Sequence, residues 1–190
     1  MFKPLDTYYC IIFAHLYNYA VALDFTMAYP ELVEKLVLVS PGLRGYEFRD
    51  ACVGINFSAM LQALGRQDLR GAVEVFLNMW VDGPCRKPKE VNPLVRERVR
   101  EMVTRAFPLS RLAPNCKGLE PPAASRLGEV HVPTLVVLGK QDAPDIHAIG
   151  HLICEGVAGS QLVEIPDVGH TLPMEKPEEF NRVVADFFRL

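Results

Sequence analysis

Short apolar runs alternate with longer amphipathic stretches along this 190-residue chain. The run Tyr8 to Phe13 is rich in β-branched and aromatic residues, and Lys35 to Ser40 is a second such run. Both are predicted to be strands buried on both faces of a parallel sheet. Between them, apolar residues recur at helical spacing until Tyr29-Pro30, where the proline disfavours further helix. Strand, helix and strand together predict a βαβ unit.

The pattern changes between roughly Tyr46 and Leu127, where apolar residues recur at helical spacing and no strand-like run interrupts them. Within this stretch, Val91 to Ala106 is dense in arginine and glutamate, and a solvated helix face is expected there. Leu119 to Ala124 is predicted to be a linker that returns the chain to the sheet. Strands and helices then alternate, with strands predicted at Thr134 to Gly139 and Gln161 to Ile165 and helices at Ile146 to Val157 and Glu178 to Phe188.

These elements predict an α/β fold in which a parallel sheet flanked by helices carries an all-helical cap insertion. We expect residues 1–45 to form the first part of the α/β core, residues 46–127 the helical cap, and residues 128–190 the second part of the core. A cap over the carboxyl ends of the strands is where a ligand pocket would form.

Composition narrows the range of functions. A net charge of −3 leaves no excess of cations to neutralise phosphates, so nucleic acid is not expected as a partner. The run Tyr8 to Phe13 has about a third of the roughly 20 residues that a membrane span needs, and no clear secretory signal precedes it. The 5 cysteines are scattered without a C-x-x-C pair, which fits neither a disulfide framework nor a zinc site. A reducing cytoplasm is the expected location.

Two loops carry the candidate chemistry, because each follows a predicted strand at the end where open α/β sheets bind their ligands. Asp142 lies in the first loop and His170 in the second. A carboxylate that fixes the tautomer of an imidazole lets that imidazole act as general base and then as general acid. Each residue alone also fits an ordinary turn. If the two strands are parallel neighbours, the carboxylate should approach the imidazole to about 3 Å.

Several stretches carry a resemblance to the α/β-hydrolase superfamily, over nearly the whole chain from about Cys10. They are AVALDF at 20–25, AYPE at 28–31, VEKLVLVSP at 33–41, VPTLVVLGKQD at 132–142, IPDVGH at 165–170 and EKPEEF at 175–180. The resemblance implies that Asp142 is the catalytic acid and His170 the catalytic histidine, with Asp145 as the alternative acid. It also implies hydrolysis of a small carboxylic ester or lactone.

A cap motif points in the same direction. WVDGP at 80–84 is similar to bacterial members related to enol-lactonases. Phe76, Met79 and Trp80 are candidates to line an acyl pocket, although a stripe of this kind is more commonly helix core.

The nucleophile does not follow from the resemblance. The family's G-x-S-x-G elbow precedes the helix that begins here near Tyr19, and the matching stretch is Ala14-His15-Leu16-Tyr17-Asn18. Leucine therefore stands in the position of the serine. The sequence also has no His-Gly pair, which often marks the oxyanion loop, and about four strands are expected of roughly eight in the family pattern. We therefore expect a truncated hydrolase core.

These departures lead to the expectation that the chain is inactive by itself, as a possible pseudoenzyme. The alternatives are a non-enzymatic descendant that binds a ligand or protein, and a gene fragment of an active hydrolase. The strand Tyr8 to Phe13 is expected to present an open sheet edge through which the chain self-associates. No cofactor or metal is expected, since His147 and His151 lack a third ligand at metal spacing.

Overall fold

The computed structural model describes residues 9–13, 21–110 and 118–189. In chain order its main elements are strand β1 (Tyr9–Phe13), helix α1 (Val21–Ala28), strand β2 (Lys35–Val39), helices α2 (Ala51–Gly65) and α3 (Leu69–Phe76), a π-helix (Leu77–Asp82), helix α4 (Pro93–Ser110), strand β3 (Thr134–Gly139), helix α5 (Pro144–Gly156), strand β4 (Gln161–Ile165), and helices α6 (Leu172–Glu175) and α7 (Pro177–Arg189). Short 3₁₀ turns lie at Pro30–Leu32, Pro88–Glu90, Ala123–Ser125 and Leu127–Glu129.

The described strands form one parallel sheet in the order β1-β2-β3-β4. The predicted α/β class is confirmed, and the four predicted strands lie within one residue of their expected bounds. Helices α5 and α7 begin earlier than predicted, at Pro144 and Pro177. Each proline occupies the first helical position, where its missing N–H has no intrahelical acceptor to lose. Because all four strands run parallel, their carboxyl ends lie along one edge of the sheet.

Apolar residues on both faces of β2 and β3 explain why these central strands are buried. Their side chains alternate between two core clusters. Leu36 and Leu38 of β2 belong to the cluster that contains the α5 isoleucines, whereas Val37 and Val39 belong to the cluster that contains Phe180 of α7. Helix α5 thus covers one face of the sheet and α7 the other.

The helices between β2 and β3 pack on one another through an apolar stripe on α4. This stripe consists of residues four apart, Val95, Val99, Val103 and Phe107. The predicted solvated face of this helix is correct for Arg98, whose side chain is 61% exposed. It is wrong for Arg96, whose side chain is only 14% exposed and pairs with buried Asp82. The described residues contain no helix long and apolar enough to span a membrane.

The helices between β2 and β3, which we call the helical segment, leave the sheet and rejoin it at one place, which we call the junction. The amide of Ala124 donates a hydrogen bond to the carbonyl of Arg44 at 3.0 Å. Gly45 has a φ of +89°, and a Cβ there would lie 2.9 Å from the Cβ of Pro122. The Arg44 guanidinium also lies 3.5 Å from the carboxylate of Asp24 on α1. The point where the chain leaves the sheet and the point where it returns are therefore held together beside α1. The exact boundaries at 45/46 and 127/128 stay predictions.

Candidate active site

Asp142 lies in a tight turn that follows β3. Its amide donates to the carbonyl of Gly139 at 3.0 Å, and its carboxylate oxygen Oδ1 accepts a hydrogen bond from the amide of Ala143 at 2.7 Å. The side chain is only 2% exposed. A carboxylate buried to this extent requires donors, because it has lost its hydration. The local turn supplies one donor, and a second group must supply the other.

His170, in the loop after β4, is that second group. Its Nδ1 lies 3.0 Å from Oδ2 and 3.2 Å from Oδ1 of Asp142, across 28 positions of sequence. The close approach expected from parallel neighbouring strands is therefore confirmed. Because Nδ1 faces a carboxylate, it carries the proton and donates, which leaves Nε2 of the neutral imidazole as an acceptor. The side chain is 18% exposed, so the ring remains partly accessible.

Backbone contacts hold the two loops against each other. The amide of Gln141 donates to the carbonyl of Val168, and that of Lys140 to the carbonyl of Ile165, both at 2.9 Å. Gly139 is packed so closely that a Cβ would lie 2.3 Å from the carbonyl oxygen of Gly169. The position therefore requires glycine because of close approach, and the distance between Asp142 and His170 is set by rigid backbone.

Asp145, the alternative acid, makes its described contacts elsewhere. Its carboxylate accepts hydrogen bonds from the hydroxyl of Tyr46 at 2.8 Å, from the amide of Arg49 at 3.0 Å and from the amide of Asp50 at 2.8 Å. Burial raises the pKa of Asp145, but these hydrogen bonds outweigh it, so its pKa lies below the ordinary value. Burial and the hydrogen bond to Asp145 raise the pKa of Tyr46. Asp145 thus anchors the start of the helical segment, and Asp142 is the carboxylate that meets the imidazole.

The ring of Trp80 packs against that of His170, a contact that sequence reasoning did not predict. The ring centroids lie 4.5 Å apart, with 38° between the planes. Trp80 lies in the π-helix, a rare element that is frequent at functional sites. Phe76, Met79 and Trp80 are all buried in the core, as the simpler interpretation of this stripe expects. Trp80 therefore serves both as core and as a wall beside the imidazole.

The sequence also did not predict a buried ion pair beside the loop that follows β4 and carries His170, which we call the histidine loop. Arg86 donates from Nη1 and Nη2 to the carboxylate of Glu175, and the two side chains are 6% and 7% exposed. Glu175 is the first residue of the stretch EKPEEF that carries the family resemblance, and Arg86 lies two residues after WVDGP. Nothing in the spacing, however, indicates that the two meet across 89 positions.

Other residues singled out in the sequence are Leu16, His15 and His147. Leu16 and its neighbour His15 lie outside the described residues. Nδ1 of His147 lies 3.0 Å from Oε1 of Glu164. In the part of the chain that the structure describes, no group of three His, Cys, Asp or Glu side chains could hold a metal ion.

Comparison with known proteins places this geometry in context. Residues 6–183 match the profile described as "Alpha/beta hydrolase family". The chain is 30% identical over 172 residues to 2-hydroxy-6-oxononadienedioate/2-hydroxy-6-oxononatrienedioate hydrolase of Klebsiella pneumoniae. The aligned region covers 87% of this chain and 57% of that protein. It therefore spans less than two thirds of the length of this relative.

Solved structures show the same partial coverage. A thermophilic esterase from Thermogutta terrifontis superimposes with a TM-score of 0.69 at 25% identity, covering 90% of this chain and 61% of the esterase. The enol-lactonase from Burkholderia xenovorans LB400 shares the fold, with a TM-score of 0.63 at 18% identity, covering 88% of this chain and 60% of the lactonase.

Proposed function

Because the chain belongs to the α/β hydrolase family, we propose that Asp142 and His170 are the acid and base of a site for hydrolysis of a small carboxylic ester or lactone. We further propose that the chain does not hydrolyse esters by itself, because Leu16 occupies the position of the nucleophile. The observation that carries the first part is the 3.0 Å contact between the Asp142 carboxylate and Nδ1 of His170.

The chemistry follows from the direction of that contact. With Nδ1 protonated toward Asp142, Nε2 of His170 is free to take a proton from a hydroxyl nucleophile and then to give it to the leaving group. The buried carboxylate stabilises the imidazolium that forms in between. A leucine side chain has no proton to give and no lone pair with which to attack. No acyl-enzyme can therefore form at residue 16.

The substrate class is supported by the relatives. The esterase named above acts on esters by name, and the enol-lactonase on lactones. The Klebsiella relative is named as a hydrolase of substrates that are neither esters nor lactones, so it supports hydrolysis but not the substrate class. The chain spans only part of each, so the activity of the whole proteins stays a proposal for this chain. Ligand or protein binding without catalysis, and a gene fragment of an active hydrolase, are the competing functions.

Ester hydrolysis tests the proposal directly. We expect the purified chain to hydrolyse p-nitrophenyl acetate no faster than its His170→Ala variant, because the general base has no nucleophile to activate. The measurement is release of p-nitrophenol over time. A burst of product from the unaltered chain that is lost in His170→Ala would contradict the inactive state.

A matched gain-of-function variant separates the competing functions. Ala14→Gly, Leu16→Ser and Asn18→Gly together restore the G-x-S-x-G pattern. We expect this variant to react covalently with a fluorophosphonate, and the same variant carrying His170→Ala to remain unlabelled. A folded triple variant that is not labelled would exclude Asp142 and His170 as a competent acid–base pair and would favour a non-enzymatic role.

We also propose self-association through β1, which is the end strand of the described sheet. An edge strand presents unpaired backbone groups to which another chain can pair. Light scattering is expected to give a mass above that of one chain at micromolar concentration, and a stable monomer would contradict this. The three free cysteines among the described residues favour the cytoplasm as location, which cell fractionation would check.

A further inference from the structure

The buried pair of Arg86 and Glu175 makes more contacts than an ion pair requires. Besides its two bonds to Glu175, the Arg86 guanidinium donates from Nη2 to the carbonyl of Val81 at 2.7 Å and from Nε to the carbonyl of Asp82 at 3.1 Å. All three guanidinium nitrogens are therefore engaged. A guanidinium presents donors on three nitrogens in one fixed plane and reaches these separate acceptors together, whereas a lysine presents all its donors from a single nitrogen.

Glu175 extends the network to both sides of His170. Its Oε1 accepts hydrogen bonds from the hydroxyl of Thr171 at 2.9 Å and from the amide of Gly169 at 3.4 Å. These are the residues immediately before and after the histidine. The carboxylate therefore holds the histidine loop at two points, and the arginine in turn fixes the carboxylate.

The same arginine holds the opposite side of the imidazole. The carbonyls it binds belong to the two residues that follow Trp80, whose ring packs on His170. There is little free space around it, because a Cβ on Gly169 would lie 2.5 Å from Nη2 of Arg86. One guanidinium thus connects the end of the π-helix, which carries Trp80, with the loop that carries the imidazole.

Stability alone is a weak explanation for this arrangement. Removing two charges from water is unfavourable, and apolar side chains of similar volume commonly stabilise a fold as well or better. What a fully bonded pair supplies, and apolar packing does not, is fixed geometry. Its bonds are directed at the backbone on each side of the imidazole.

We propose that Arg86 and Glu175 are positioning residues that hold the His170 imidazole between Trp80 and Asp142. The proposal rests on the function of His170 proposed above. The guanidinium fixes Glu175, and Glu175 binds the backbone amide of Gly169 before His170 and the side-chain hydroxyl of Thr171 after it. The imidazole is thereby held with Nδ1 toward Asp142. Neither residue is expected to contact the reacting atoms.

Hydrogen exchange in the full chain tests this without any substrate. The Nδ1 proton of His170 and the Gly169 amide report on the loop, and the Val136 amide in the middle of β3 reports on global unfolding. In Arg86→Lys and Glu175→Gln, we expect exchange at the two loop sites, relative to Val136, to be about tenfold faster or more. A variant that is merely less stable would accelerate all three sites together.

The matched control is Arg96→Lys. Arg96 forms a buried pair with Asp82 in the same helical segment, and it also donates to Glu74 and Asn78, which lie in that segment and not in the histidine loop. We expect its exchange ratio to stay within about twofold of the unaltered chain. An unchanged ratio in Arg86→Lys, or an equal change in Arg96→Lys, would overturn the positioning role. Failure of the proposed function would appear instead as absent labelling of the restored elbow.

Discussion

Replacing Gly139 with alanine is expected to force apart the loops that carry Asp142 and His170. The new Cβ would lie 2.3 Å from the carbonyl oxygen of Gly169 and 2.5 Å from that of Val168. Both obstacles are backbone atoms of a loop that is hydrogen-bonded to its neighbour, so the loop must retreat by about 1 Å to reach ordinary contact. We expect the free energy of unfolding, measured in urea, to fall by about 3 kcal/mol.

The same variant should weaken the contact between Asp142 and His170. In folded Gly139→Ala, we expect the Nδ1 proton of His170 to exchange with solvent faster than in the unaltered chain. Gly128→Ala is the matched control, because nothing lies within 4 Å of the Cβ position at Gly128. If Gly139→Ala were as stable as Gly128→Ala, the close packing of the two loops would be wrong.

Replacing Asp145 with asparagine is expected to loosen the start of the helical segment. The carboxylate accepts hydrogen bonds from two backbone amides and from Tyr46, and an amide group can accept fewer of them and carries no charge. Hydrogen bonds to a charged acceptor are worth about 1.5–3 kcal/mol each, so we expect a loss of roughly 3 kcal/mol in the free energy of unfolding at neutral pH. Urea titration measures it.

The pH dependence of this loss has a defined sign. Because the pKa of Asp145 is lowered in the folded state, its contribution is complete above the unfolded value of about 3.9 and is lost as the pH falls through the folded value. The unaltered chain and Asp145→Asn should therefore differ most near neutral pH and converge in strong acid. Asp186→Asn is the control, since Asp186 is 62% exposed and pairs with the exposed Arg189. A constant difference down to pH 2 would contradict the anchoring charge.

The sheet and the contact between Asp142 and His170 could be predicted, because each depends on a local sequence pattern and one topological rule. The run Thr134 to Gly139 is apolar on both faces and is buried on both. Parallel neighbouring strands present their carboxyl ends at one edge, which brings Asp142 to His170 despite their separation in sequence. This contact could be predicted without knowing how the helices between β2 and β3 pack.

What could not be predicted are contacts that the packing of the helical segment creates. Arg96 belongs to a charge-rich stretch, yet it is buried because Asp82 meets it from the π-helix. Arg86 and Trp80 reach the histidine loop only once that segment is folded over it. Sequence periodicity indicates which face of a helix is apolar, but it does not specify which distant element that face will meet.

The junction has a consequence for how such a protein can diversify. Since Arg44 and Ala124 are hydrogen-bonded to each other, the sheet presents the helical segment with two closely spaced attachment points. The entropic free-energy cost of closing a loop between such points rises by only about 0.6 kcal/mol for each doubling of the loop length. Helices of different length or sequence could therefore be exchanged between these two points. Such an exchange would change the side chains that face His170, while the strands before Asp142 and His170 keep their register.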